Sequence, residues 1–234
     1  MSEITPEVKR SGSTFRGPNI GALATIFVVL FCASLYPVTA LGGMPYFPGP
    51  TASLDSMVAF FTARPVAVLA CAFLQFGAAI VLGLFTVSVV AQLKYLGVKA
   101  AGTGIALFGG LLSAFNIMAG TFIMWTMSYP GIAGERQLLH ALYRIMFAFG
   151  GIGFSVPCGL LFAGVSVTAG FYRLLPKWIV ILGLIVAVIG ELSWFEMLTP
   201  NVLALIPLTR FPGFIWLIAA GFALPKTKMR GATT

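Results

Sequence analysis

The chain has 234 residues, of which 59% are hydrophobic and 9% charged, with a net charge of +8 and a mean hydropathy of +1.01. A soluble domain carries about 25% charged residues, so this composition excludes one and indicates a chain dissolved in lipid. The basic residues are scattered among short ends and loops rather than gathered on one face, which argues against nucleic acid as a partner.

A helix that crosses a bilayer needs about 20 apolar residues. Six runs qualify: Asn19 to Leu41, Val66 to Leu93, Ala100 to Trp125, Leu138 to Phe171, Trp178 to Leu198 and Val202 to Leu224. The predicted fold is therefore all-α, a polytopic transmembrane helix bundle of six spans over residues 19–224, between short tails at 1–18 and 225–234. The lipid bilayer is its first partner.

The first span follows Lys9, Arg10 and Arg16, as a signal peptide would. Its apolar run exceeds the 7 to 15 residues or so of such a region, so it reads as a retained anchor. Lys9, Arg10, Arg16, Lys94, Lys99, Arg173, Lys177, Lys226, Lys228 and Arg230 fall on one side of the six spans, against Arg64 and Arg136 on the other. By the positive-inside rule both termini face the cytoplasm.

After the first span, "GGMPYFPGP" forces a turn before a short segment, Leu54 to Ala63, with Ser53 as its N-cap. Too short to span, it is expected at the outer interface or packed over the bundle. The second span carries Gln75. The third carries Gly102, Ala106, Gly109, Ser113, Asn116 and Gly120 at alternating steps of four and three, which form one stripe on one helix face. That stripe reads as a packing seam, with a polar cavity lined by Asn116 and Gln75 as the functional alternative.

The fourth run would be about 51 Å long as one helix, against a hydrocarbon core of about 30 Å. Gly150, Gly151, Gly153 and Pro157 in its middle predict a bend near Gly153, with the first turns outside or at the outer interface. Arg136, His140 and Arg144 share one face at steps of four, and Arg144 is expected at the headgroups.

The last two spans form a hairpin about "MLTPNV". Glu191 lies nine residues before Pro200 and Arg210 nine after Asn201, so the two should reach the same depth and neutralise each other. Pro207 and Pro212 free the carbonyls of Leu203 and Leu208 as further acceptors for Arg210. The functional alternative is that Arg210 faces a cavity and binds an anionic headgroup or solute, with Glu191 positioning it.

Catalytic signatures are missing. One histidine rules out bis-histidine haem ligation and H-E-x-x-H zinc sites within the chain, and no Walker loop or G-x-S-x-G elbow occurs. Cys32, Cys71 and Cys158 sit in apolar runs and read as small buried hydrophobes. Neither enzyme activity, nor a cofactor, nor a metal site is expected. The candidate binding residues are Gln75, Asn116, His140, Arg144, Glu191 and Arg210, all toward the outer leaflet, for a lipid or small anionic ligand. Passive binding or transport through such a pocket is the leading reading. A non-transporting structural or regulatory protein is the alternative, and a membrane enzyme the third.

From Leu174 to Lys228 the chain resembles a family of bacterial six-span membrane proteins with a domain of unknown function. The shared features are a proline-basic-tryptophan turn at Pro176 to Trp178, a "GELS" at Gly190 to Ser193 and an "RFPG-x-x-W" at Arg210 to Trp216. The resemblance implies a bacterial inner membrane and supplies no activity.

Overall fold

The computed structural model describes residues 14–227. Lys9, Arg10, Lys228, Arg230 and most of both tails lie outside the described residues. Six helical stretches are long and apolar enough to cross a membrane: Ile20–Val38, Pro65–Tyr95, Gly102–Met127, Arg136–Phe171, Lys177–Met197 and Pro200–Ala223. They match the six runs read from the sequence to within a few residues, and the architecture is an all-α bundle.

The helices are α1 (Ile20–Leu35), α2 (Leu54–Ala63), α3 (Pro65–Tyr95), α4 (Gly102–Met127), α5 (Pro130–Ala133), α6 (Arg136–Gly150), α7 (Ile152–Phe171), α8 (Lys177–Leu192) and α9 (Leu205–Ala223). The spans close a ring in chain order: α1 packs on α3, α3 on α4, α4 on α7, α7 on α8, α8 on α9, and α9 back on α1. Small residues set the close approaches. A Cβ on Gly221 of α9 would fall 2.9 Å from the Gly21 Cα of α1, and one on Gly164 of α7 would fall 2.7 Å from the Ala106 nitrogen of α4. The Gly102-to-Gly120 stripe of α4 is this seam. Gly109 meets the Pro157 and Leu161 backbone, Ser113 donates to the Phe154 carbonyl at 3.2 Å, and Gly120 lies against Met146 and Gly150.

One end of the ring carries the turns at 96–101 and 172–176 and both described chain ends, where Phe15 N–H donates to the Lys226 carbonyl at 2.8 Å. Phe27, Leu82, Phe162 and Trp216, all at most 1% exposed, belong to one apolar core packed between the spans. The indole of Trp216 donates to the Ile179 carbonyl at 3.0 Å, which satisfies its one polar atom.

The opposite end is capped. The loop 36–53, α2, α5 and the start of α6 pack there around Met57, Phe60, Phe61, Leu139 and Tyr143. Ser53 caps α2 as expected, accepting from Ser56 N–H at 3.3 Å. The helix lies over the bundle against α6 and α3. Arg64 ties the loop down by donating to the carbonyls of Pro37 at 2.9 Å, Gly42 at 2.6 Å, Pro45 at 3.4 Å and Gly43. Tyr143 Oη donates to the Pro48 carbonyl at 2.6 Å, and Arg136 pairs with Asp55 at 2.5 Å, joining α6 to α2.

The fourth span is broken at Gly151, two residues before the position expected. Gly151 takes φ −85° and ψ −99°, so α6 ends and α7 restarts. The six-span reading of the sequence thus holds with one span made of two helices.

Candidate functional site

The cavity lies on the ring axis at the capped end and holds about 390 Å³. Its walls come from α1 (Phe31, Leu35), α3 (Cys71, Gln75), α4 (Ile117, Gly120, Met124), α6 (Tyr143, Met146, Phe147, Gly150) and α9 (Ile206, Arg210). Val38, Thr39, Phe47, Pro48, Gly49 and Pro50 roof it, and Gly49 is exposed at the surface. The helix break reaches the wall as well, through Gly150 and Gly151. A cavity of this size with mostly apolar walls and a few polar groups falls in the ordinary range for small-molecule sites, about 300 to 1,000 Å³.

Its polar groups are few. Gln75 is half-buried and donates weakly from Nε2 to Cys71 Sγ at 3.6 Å. Arg210 places its guanidinium carbon 5.2 Å from the Phe31 ring centre and 5.1 Å from that of Phe154, a cation held between two aromatic faces. Its Nη2 donates to the carbonyl of Gly150, the last residue of α6. That oxygen is free because the break removes the bond it would have taken from Phe154 N–H, and a cation at a helix C-terminus also meets the negative end of the helix dipole. Nε is fully covered and has no acceptor.

Asn116 serves a second opened carbonyl, one helical turn further along the same span. Pro157 has no N–H to give to the Gly153 carbonyl, and Asn116 Nδ2 donates to that oxygen instead at 2.5 Å. Both intramembrane polar side chains that the sequence singled out on α4 and α9 therefore close backbone groups opened by the glycine and proline of the fourth span. Asn116 faces α7 rather than the cavity, which corrects the cavity-lining alternative for it.

The expected Glu191–Arg210 pair does not form. Among the described residues the one ion pair is Arg136 with Asp55, so Glu191 and Arg210 lie more than 4.0 Å apart. Equal Cα depth is not equal side-chain depth: long side chains lean toward the N-terminus of their own helix, and α8 and α9 run in opposite directions. Arg210 accordingly reaches up to Gly150 near the capped end, whereas Glu191 Oε1 lies against Gly159, lower on α7, with no hydrogen-bond partner. The intervening turn also departs from the assumed hairpin, since Ser193–Met197 and Pro200–Val202 are 3₁₀ helices. Nor do the prolines act as expected. Pro207 sits in the first turn of α9, and the Leu203 carbonyl accepts from Ile206 N–H at 3.2 Å rather than from Arg210.

His140 and Arg144 do not line the cavity either. They meet each other at 3.4 Å, with Arg144 exposed, while Leu139, Tyr143 and Met146 form the buried face of α6. The four-residue spacing that puts His140 and Arg144 together places them away from the apolar stripe. Of the six candidates, the structure brings Gln75 and Arg210 to the cavity and leaves Asn116, His140, Arg144 and Glu191 outside it. Sequence reading missed Tyr143, Phe47 and Cys71. Cys71 is buried and lines the cavity, and Cys32, expected to be buried, is exposed on the surface of α1.

Searches against protein-family models, curated proteins and solved structures give no match to this chain.

Proposed function

We propose that this multi-pass membrane protein binds a small, largely apolar molecule in the cavity at its capped end. The observation that carries the reading is the cavity itself: about 390 Å³ roofed by an anchored loop and walled by aromatic and aliphatic side chains, with Arg210 and Gln75 as its polar handles. The distribution of Lys and Arg supports a position outside the cytoplasm for this end. The resemblance of Leu174 to Lys228 to bacterial six-span proteins supports an inner-membrane location. Binding rather than passage is favoured by the tight burial of Phe27, Leu82, Phe162 and Trp216 in the apolar core between the spans.

The test is equilibrium binding of radiolabelled decanol to the purified protein in maltoside micelles, read by scintillation proximity. The expected result is one saturable site per chain that is lost in Met124→Trp, where the indole fills the cavity. Decanol uptake that is unsaturable, or equal in the two proteins, counts against the reading.

A further inference from the structure

We infer that the cavity is built for an amphiphile bearing a single negative charge on oxygen, a carboxylate or a phosphodiester, whose head docks on Arg210 beside the α6–α7 break. The inference rests on the cavity reading and adds the chemistry of the ligand to it.

Its ground is an uncompensated cation. A guanidinium cannot shed its proton to escape burial, and a charge removed from water needs an opposite charge or a full set of hydrogen bonds. Arg210 has neither. No carboxylate lies within 4.0 Å, and of its three nitrogens Nη2 alone has an acceptor among the described residues. Nε is covered and unbonded, and Nη1 has no acceptor among the described residues, on a side chain that lines the cavity. The rings of Phe31 and Phe154 hold the group in place and attract it, but they accept no strong hydrogen bond.

The helix restart stands beside that cation. Gly151 N–H bonds to the Phe147 carbonyl at 2.7 Å and Ser155 N–H to the Gly151 carbonyl at 3.0 Å. Between them, the break takes the ordinary helical partners, the carbonyls of Ala148 and Gly150, away from Ile152 and Phe154 N–H. This first turn is the positive end of α7, a 20-residue helix, and the guanidinium stands against the Phe154 ring of that same turn. The negative end of α6 meets this positive end at the same break, so the two dipoles offset each other, and the charge at the cavity wall beside Gly150 and Gly151 is that of Arg210.

The charge of the ligand follows from the balance. One cation with no second basic side chain on the walls is neutralised by a monoanion, whereas a dianion would leave a net charge against mostly apolar walls. The body of the ligand follows from the rest of the walls: Leu35, Ile117, Met124, Met146 and Phe147 offer it no hydrogen-bonding side chain. Methionine adapts to bodies of differing shape.

The decisive comparison uses decanoate and decanol, which share an apolar body and differ in charge, and dihexanoylphosphatidylglycerol as the phosphodiester. Binding is measured on wild type and on Arg210→Met and Arg210→Lys, with the uptake by Met124→Trp subtracted. The expected result is saturable binding of at least one charged probe at least tenfold tighter than decanol, a preference reduced in Arg210→Lys and abolished in Arg210→Met. Preference for decanoate identifies a carboxylate head, and preference for the glycerophospholipid a phosphodiester. Equal affinity for decanol and both anions in wild type overturns the inference while leaving the cavity reading intact, and it does so even if Arg210→Met fails to fold. Absence of any saturable binding removes both.

Discussion

Arg210 of α9 donates from Nη2 to the carbonyl oxygen of Gly150, the last residue of α6, sixty positions earlier in the chain. A permanent cation in the middle of an apolar span thereby closes the end of another helix, and the same contact holds the guanidinium at the wall of the cavity. The break that opens this carbonyl falls at Gly151, in the glycine-rich middle of the fourth span, so the two oddest features of the sequence meet at one place.

Asn116 should matter only because Pro157 is present. Asn116→Leu leaves the Gly153 carbonyl without a donor inside the bundle, at an expected cost of about 1–3 kcal/mol. In a Pro157→Ala background the restored N–H of residue 157 can serve that carbonyl, and the cost of Asn116→Leu should fall below about 1 kcal/mol. Thermal unfolding of the four proteins in detergent measures the coupling; equal costs in both backgrounds would show that the Asn116 bond does not substitute for the missing helical one.

Glu191 and Arg210 should behave as independent sites. Because no ion pair joins them, the double-mutant cycle of Glu191→Gln and Arg210→Met is expected to close within about 0.5 kcal/mol. A coupling of about 2 kcal/mol or more would indicate a pair that the observed geometry excludes.

The spans were legible because hydropathy and length suffice to define them, and the α4 seam because steps of four and three lie on one helix face. The break was legible within two residues from Gly150, Gly151, Gly153 and Pro157. Glu191 and Arg210 stand at different heights for a reason that residue counting misses: counting fixes the height of Cα, but side-chain lean and the two 3₁₀ turns fix the height of the charges. The roof was illegible for another reason. Arg64 holds it through four carbonyl groups and Tyr143 through that of Pro48, and backbone acceptors leave no signature in a sequence.

The roof should control access to Cys71. In a Cys32→Ser, Cys158→Ser background, Arg64→Met removes the donors that hold Pro37, Gly42, Gly43 and Pro45. Hydrogen bonds from a charged donor contribute about 1.5–3 kcal/mol each, and every 1.4 kcal/mol or so is tenfold in an equilibrium constant. Modification of Cys71 by a small methanethiosulfonate should therefore speed up at least about tenfold, with a smaller increase for Tyr143→Phe. An unchanged rate in both variants would show that the loop does not guard the cavity.

Topology has a direct readout. A reporter fused to the C-terminus should be active in the cytoplasm, and single cysteines at Ser53 and Glu135, both exposed at the capped end, should label from the opposite side of the membrane. Ala133, two residues before Glu135, is fully buried and should resist the reagent. Labelling of Ser53 and Glu135 only after the membrane is permeabilised would reverse the orientation.

The most direct measurement of the central claim, that the cavity is an occupied ligand site governed by Arg210, is native mass spectrometry of the protein released from lipid nanodiscs. The account predicts one retained small amphiphile per chain, seen in wild type and absent from both Met124→Trp and Arg210→Met. A wild-type spectrum of bare chains, or adducts of equal abundance in all three proteins, would contradict it.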